Sequence, residues 1–372
     1  MQSRQTEVLI VGAGIAGASA AHFLAPHCKV TLLEREDQPG YHTTGRSAAL
    51  FTETYGNASV RALTRASRAF FESPPTGFAA SPLLSPRGHL VFARADQVGL
   101  LEATAEEYSA TGAVIERLPG AQVRALVPAL RGPSAHAGII DRAASDMDVN
   151  AIHRGFLRGV DLVRNAELRR AEYAAGRWRV ETSAGEFHAD IVVNAAGAWV
   201  DEVARACGVA PIGIQPMRRT VIVFDCARHN GAADWPMAID ATEDLYFRPE
   251  AGRFLASPAD ETPSPPCDAQ PDEMDVAVLL ERLQAETLFD IRRVTAKWAG
   301  LRSFATDRTL VAGFDAQQPA FFWLAGQGGY GIQTSPAMGT IAAALLLGNA
   351  LPGWLRDQGV DAAILSPRRL SA

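Results

Sequence analysis

Residues 8–34 read VLIVGAGIAGASAAHFLAPHCKVTLLE. An apolar run, Val8–Val11, enters the turn Gly12-Ala13-Gly14-Ile15-Ala16-Gly17. A helical pattern of small and apolar residues follows, and a second apolar run stops on the acid Glu34. Strand, glycine turn, helix, strand is the order of a dinucleotide-binding unit. Gly12 makes the tight turn, Gly14 lets the backbone approach a pyrophosphate, and Gly17 lets the helix sit close on the sheet. The pyrophosphate belongs at the helix N-terminus, beside Ile15 and Ala16, where N–H groups and the helix dipole favour negative charge. Glu34 stands where an acid accepts hydrogen bonds from a ribose 2′-OH. A glycine turn alone is weak evidence; one set between two strands and closed by an acid is specific.

The chain has 372 residues, 48% of them hydrophobic. That length suits two interleaved domains with a large core. The net charge of −6 argues against nucleic acid as a partner, because no basic excess exists to neutralise phosphates. Lysine occurs only at Lys29 and Lys297, so the basic residues are nearly all arginine. Guanidinium forks suit carboxylates. Cys28, Cys207, Cys226 and Cys267 form no C-x-x-C pair and no metal-ligand spacing, so neither a disulfide framework nor a metal site is expected. The opening MQSRQTEVLIVG enters the first strand without a signal-peptide apolar region, and no run of 18 apolar residues follows. The expectation is a cytoplasmic protein without an integral membrane segment, at most peripheral at the inner face of the membrane.

Residues 35–56 form a long Gly/Ser/Thr-rich stretch, the kind of loop that carries function. The pattern predicts helices over 57–71, 97–110, 120–126 and 148–160, with Asp146 or Asp148 as N-cap of the last. It predicts strands at 89–93 and 137–140 and a meander over 168–188. The continuous apolar run at 190–194 reads as a buried parallel strand returning to the first sheet. From about residue 212 strands dominate, at 217–224, 236–240, 245–249 and 253–257. A Pro-rich linker (258–271), a helix (272–288) and a strand (295–303) follow. Strands at 310–313 and 321–325 and a helix at 335–347 close the first domain. The fold expected is α/β: a discontinuous Rossmann-like domain (1–80, 140–210, 304–372) and an antiparallel-sheet substrate domain (81–139, 211–303).

Two further glycine stretches present bare backbone: NAAGAW (194–199) and GQGGYG (326–331). Taken with Glu34, GYHTTGRSAA (40–49), WAGLRSF (298–304) and the terminal SPRRLS (366–371), they resemble the FAD-dependent D-amino-acid oxidase-like family, and within it the bacterial D-arginine dehydrogenases, over essentially the whole chain. The resemblance implies non-covalent FAD and oxidation of a D-amino acid to an imino acid, which water converts to the 2-oxo acid and ammonia. It implies that Arg35, Thr43, Thr44, Gly45, Arg46, Ser47, Ala48, Ala196, Gly197, Trp199, Gly328, Gly329, Tyr330, Gly331 and Ile332 join Gly12, Gly14, Ile15, Ala16, Gly17 and Glu34 around the cofactor.

That reaction needs a cationic clamp for the substrate carboxylate. Among 33 arginines (35 basic residues less two lysines) the resemblance selects Arg219 and Arg302, and period-2 alternation sends neighbouring Arg218 to the opposite face. Tyr55 and Tyr246 correspond to active-site tyrosines, and Gln333 with the GQGGYG carbonyls to holders of the amino group. Water or Tyr55 is left as the general base. In LLSPRGHLVF the family's acid is replaced by His89, and Leu50 stands for its nearby histidine. Glu243 is retained. With Thr52, Met237, Ile239 and Ile332, these residues form an expected pocket in which preference for arginine is weakened and neutral or apolar D-amino acids become substrates. The resemblance implies a dehydrogenase that passes electrons to a quinone or other acceptor, with oxidase activity left open; of the two lysines only Lys297 could serve as the lysine that promotes reaction with oxygen in some oxidases of the superfamily. Three other readings stay open: a flavin-dependent 2-hydroxy-acid or secondary-amine oxidoreductase, a non-catalytic flavoprotein subunit, and an NAD dehydrogenase.

Overall fold

In the computed structural model, which describes residues 4–226, 229 and 232–370, Val8–Val11 lies at the centre of a six-stranded sheet. Ser371, the end of the SPRRLS stretch, lies outside the described residues. The strand order across this sheet is Asp161–Val163, Val30–Leu33, Val8–Val11, Ile191–Asn194, Phe321–Ala325 and Val311–Phe314. All pairs are parallel except the last. Strands from both ends and the middle of the chain therefore meet in one sheet, which makes the Rossmann-like unit discontinuous. Its inner strands are buried on both faces, which explains runs such as VLIV and FFWLA that lack polar alternation.

Helix Ile15–Leu24 packs against helix Ser335–Leu346. A Cβ on Gly339 would lie 2.8 Å from the Ser19 carbonyl oxygen, so the approach of the two backbones requires glycine there. The first helix needs glycine for the same reason. A Cβ on Gly17 would stand 2.0 Å from the Gly12 carbonyl oxygen.

The second layer is a nine-stranded mixed sheet. Its backbone is Gln215–Phe224, paired along one edge with Val294–Phe304 and along the other with Arg253–Ser257 and Thr262–Pro263. Tyr246–Glu250, Met237–Asp240, His89–Ala93, Ala137–Asp141 and Ile115–Pro119 complete it. Strand Ala137–Asp141 pairs throughout with His89–Ala93. Residue 140, where a domain boundary is expected from the sequence, lies inside this strand. Helix Glu273–Glu286 covers one face through Val276, Leu279 and Leu283.

Asp148 caps the helix Val149–Leu157, which ends before the expected residue 160. The Pro-rich segment 258–271 is not a free linker. Thr262–Pro263 pairs with Met217–Arg218, Ala269 is buried, and Arg46 Nη1 donates to the Ala269 carbonyl at 2.9 Å. It is a strap tied across the sheet, and it brings its acids to the site.

Candidate active site

A cavity of about 980 Å³ runs between the two sheets, lined by Glu34 at the Rossmann side and by Glu243 at the substrate side. At the Rossmann side the glycine turn does what its sequence requires. Gly12 has φ +102°, and a Cβ there would lie 2.6 Å from the Ala195 carbonyl oxygen. The Ile15 N–H at the helix start donates to Thr44 Oγ1 at 3.0 Å, so the loop 40–48 is docked on the helix N-terminus. Glu34 accepts from the N–H groups of Ala13 and Glu36, both at 3.0 Å. Burial pushes its carboxyl above the ordinary range, and those N–H donors oppose the rise. Arg35 lies 4.1 Å over the Trp199 ring, a cation–π shelf at the cavity wall.

The juxtaposition of Arg219 and Arg302 follows from β-register. Met217 opposes Arg302, and Arg219 opposes Gly300, on paired antiparallel strands. Arg219 and Arg302 are therefore diagonal neighbours on one face, within reach of long side chains. Both line the cavity. Arg218 goes to the other face, where its Nη2 donates to Asp275 at 2.8 Å, as alternation requires.

Arg302 Nη1 donates to the Tyr55 hydroxyl at 3.2 Å. Burial opposes its charge, yet the surrounding tyrosines and Glu261 raise its pKa. Arg219 Nε donates to the Asp260 carbonyl at 2.7 Å, and its Nη2 to Glu261 at 3.3 Å. Tyr246 is buried beside it. Burial raises that phenol, but the cations of Arg219 and Arg302 outweigh it and set the pKa below the usual tyrosine value. Tyr55 and Tyr330 meet edge to face at 5.0 Å between centroids.

A match to the family DAO, FAD dependent oxidoreductase, runs over residues 7–345. The chain belongs to the DAO family of FAD-dependent oxidoreductases. A Xenopus laevis protein, FAD-dependent oxidoreductase domain-containing protein 1, is 31% identical over 177 residues, 42% of this chain and 34% of that protein. Its Bos taurus counterpart is 29% identical, with 35% of its length covered. The chain thus spans about a third of the length of these curated relatives. Among solved structures, L-proline dehydrogenase from P. horikoshii superposes with TM-score 0.81 at 19% identity, covering 100% of this chain and 99% of that one. Glycine oxidase from Bacillus cereus ATCC 14579 gives 0.80 at 21% identity, covering 94% and 99%. At such identities the likeness is one of fold.

The cofactor of this oxidoreductase family is FAD, and the cavity fits it. Gln327 Nε2 is buried at the wall without a hydrogen-bond partner among the described residues, a donor that a ligand in the cavity would satisfy. A Cβ on Gly329 would lie 3.1 Å from the Tyr55 hydroxyl and 3.2 Å from Arg302 Nη1. Bare backbone is thus set against Tyr55 and Arg302.

The expected residues Gly12, Gly14, Ile15, Ala16, Glu34, Arg35, Thr43, Thr44, Arg46, Ser47, Ala48, Ala196, Gly197, Trp199, Gly328, Gly329, Tyr330, Gly331 and Ile332 all line the cavity. Gly17 and Gly45 are not among its lining residues. Gly17 serves packing, and Gly45 closes a turn through its N–H to the Gly40 carbonyl at 2.8 Å. Gln333 lies behind the cavity wall. It is buried and absent from the lining, its Nε2 donates to Thr64 Oγ1 at 2.9 Å, and its Oε1 accepts from the Thr52 N–H at 3.5 Å. It braces the helix Ala58–Glu72 against the loop and does not reach the cavity.

Leu50, Thr52, His89, Met237, Ile239 and Glu243 line the substrate side. His89 is buried, its Nδ1 has no partner among the described residues, and burial drives its pKa down to about 4 despite nearby Asp141. The imidazole is neutral at physiological pH. Three contributors escaped sequence reasoning: Tyr108 and Glu107 from helix Val98–Ala110, and Glu261 from the strap. Tyr108 shares a polar cluster with Thr54, Thr52 and Asp141. The helix expected over 97–110 carries no motif that marks Glu107 or Tyr108 as cavity residues.

Proposed function

We propose that the protein oxidises D-amino acids with neutral side chains to imino acids, which hydrolyse to 2-oxo acids and ammonia. The carrying observation is the diagonal Arg219–Arg302 pair with Tyr246 and Tyr55 on the wall facing the Gly328–Tyr330 loop. FAD, when bound, supplies the hydride acceptor. The protein supplies position: two guanidinium forks and two hydroxyls fix a carboxylate, and this turns the substrate Cα–H toward one side of the cavity. The resemblance of GYHTTGRSAA and GQGGYGIQTS to the D-amino-acid oxidase-like family supports the D configuration.

The side-chain reading rests on His89 and Leu50. A neutral imidazole and an isobutyl group stand where a cationic side chain would need an acid, while Met237 and Ile239 add apolar wall. Glu243 and Glu107 also line the cavity, so anionic side chains are disfavoured and a cation keeps some attraction there. Electrons then pass to a quinone-like acceptor, and the strand-built halves act as a cofactor domain and a substrate domain.

Anaerobic bleaching of the flavin with D-amino, L-amino and 2-hydroxy acids tests this. Bleaching by neutral D-amino acids is expected. Because the clamp reads only the carboxylate, 2-hydroxy acids and secondary amines form the second reading, and bleaching by those alone would replace the first. The relatives in the fold comparison named for L-proline and glycine share the need to hold a carboxylate beside an amine.

A further inference from the structure

Glu261 lines the cavity and is held by two arginines at once. Its Oε1 accepts from Arg219 Nη2 at 3.3 Å, while Arg308 Nη2 donates to both carboxylate oxygens at 2.9 and 2.8 Å. The residues come from different parts of the fold. Glu261 sits on the strap; Arg308 sits in the turn between strands Val294–Phe304 and Val311–Phe314, its guanidinium 4.1 Å over the Phe304 ring. The Arg219 side chain is 11% exposed and that of Arg308 47%. One carboxylate therefore bridges the buried clamp arginine and an outer arginine, with the shorter contacts to the outer one.

A carboxylate on Arg219 is chemically the group that a substrate brings. Two carboxylates within reach of one guanidinium repel each other and compete for its N–H groups. Arg219 Nε is already committed to the Asp260 carbonyl, and the Tyr246 hydroxyl also hydrogen-bonds this guanidinium, so Glu261 and an incoming carboxylate must share the N–H groups that are left. We propose that Glu261 is a resident competitor for the clamp and that Arg308 draws it away, so that this pair sets the affinity for the substrate carboxylate. Glu261 and Arg308 are positioning residues that act through Arg219. The proposal rests on the reading of Arg219 as a carboxylate-binding residue.

Glu261 occupies the clamp while Arg308 draws it off, so substitutions at 261 and at 308 shift affinity with opposite sign. A plain ion pair holding the strap to the turn would shift both the same way. The test uses the FAD-loaded full-length protein and acetate, a carboxylate that cannot be oxidised here, titrated against the flavin absorbance spectrum. Glu261→Gln removes the competitor, and the acetate Kd falls about twofold to fivefold, the upper range of a part-exposed ion pair. Arg308→Gln releases Glu261 onto Arg219, and the Kd rises by a similar factor. The double variant behaves like Glu261→Gln, since no competitor remains. With an oxidisable D-amino acid the same shifts appear in KM while kcat stays within about twofold. Shifts of the two single variants in the same direction, or a Kd unchanged by Glu261→Gln, overturn the competition. Arg219→Met in parallel separates the two layers of argument. Unweakened acetate binding there would remove the clamp itself, whereas weakened binding with same-sign shifts at 261 and 308 would remove only the competition.

Discussion

Replacing Arg302 by Met asks how much of carboxylate recognition one guanidinium carries. Arg302 lines the cavity, and among the described residues its one side-chain hydrogen-bond partner is Tyr55, at 3.2 Å. A guanidinium has five N–H donors, so most remain for a ligand. Arg219 is less free, with Nε on the Asp260 carbonyl and Nη2 on Glu261. Arg302 is therefore the stronger half of the clamp before substrate arrives. Methionine fills similar space without leaving a buried charge unpaired, so the fold and the cofactor should survive. Losing a hydrogen bond to a charged group costs about 1.5–3 kcal/mol, a factor of roughly 10 to 150 in affinity. Arg219 and Tyr246 still hold the carboxylate, so the loss should not exceed that range. The assay is the concentration dependence of anaerobic flavin bleaching by a neutral D-amino acid, with acetate titration as a check that excludes effects on chemistry. A half-saturation point within twofold of the unaltered protein would show that the carboxylate does not meet Arg302.

Three other substitutions test separate parts of the reasoning. His89→Glu restores an acid at the side-chain end of the cavity, and the ratio of D-arginine to D-leucine turnover should rise at least tenfold; a flat ratio would detach residue 89 from specificity. The lowered pKa of His89 also has a stability consequence. Because the folded state holds the imidazole neutral down to about pH 4 while the unfolded chain protonates it near pH 6.5, the unfolded state binds more protons between those values. Stability is then fully present above about pH 6.5 and falls as pH drops through this window, by on the order of 3 kcal/mol. His89→Leu should flatten that part of the melting-temperature profile, and an unchanged slope would assign it to other groups. Gly17→Ala places a Cβ 2.0 Å from the Gly12 carbonyl oxygen. The helix must then lift off the turn, so the protein should purify with little or no FAD; full flavin occupancy would contradict the packing role.

What the sequence shows of this protein follows from how local each determinant is. The glycine turn, the buried parallel strands and the opposite faces of Arg218 and Arg219 are set by neighbours within a few residues, and alternation or periodicity reveals them. The pairing of Arg219 with Arg302 is not local. It depends on the register that sets Met217 against Arg302, and only resemblance to a family brought the two together beforehand. Gln333 shows what a motif leaves out. Its stretch matches, but its two amide ends are taken by Thr64 and the Thr52 backbone, a fact that no motif contains.

Glu261 shows the opposite failure. In the Pro-rich segment it reads as one acid of a solvated linker, since nothing in SPADETPSPP tells which acid turns inward. The strap acquires its course from contacts made elsewhere: Thr262–Pro263 on the edge of Gln215–Phe224, and Arg46 on Ala269 and Asp268. Those contacts aim residue 261 at Arg219 and Arg308, which lie 42 and 47 residues away in the chain. A site assembled from one strand edge, one strap and one turn can be tuned by any of the three without altering the motifs that define the family. For that reason the acids and arginines just outside the motifs, not the glycines within them, are where the carboxylate affinity of this cavity should be adjusted.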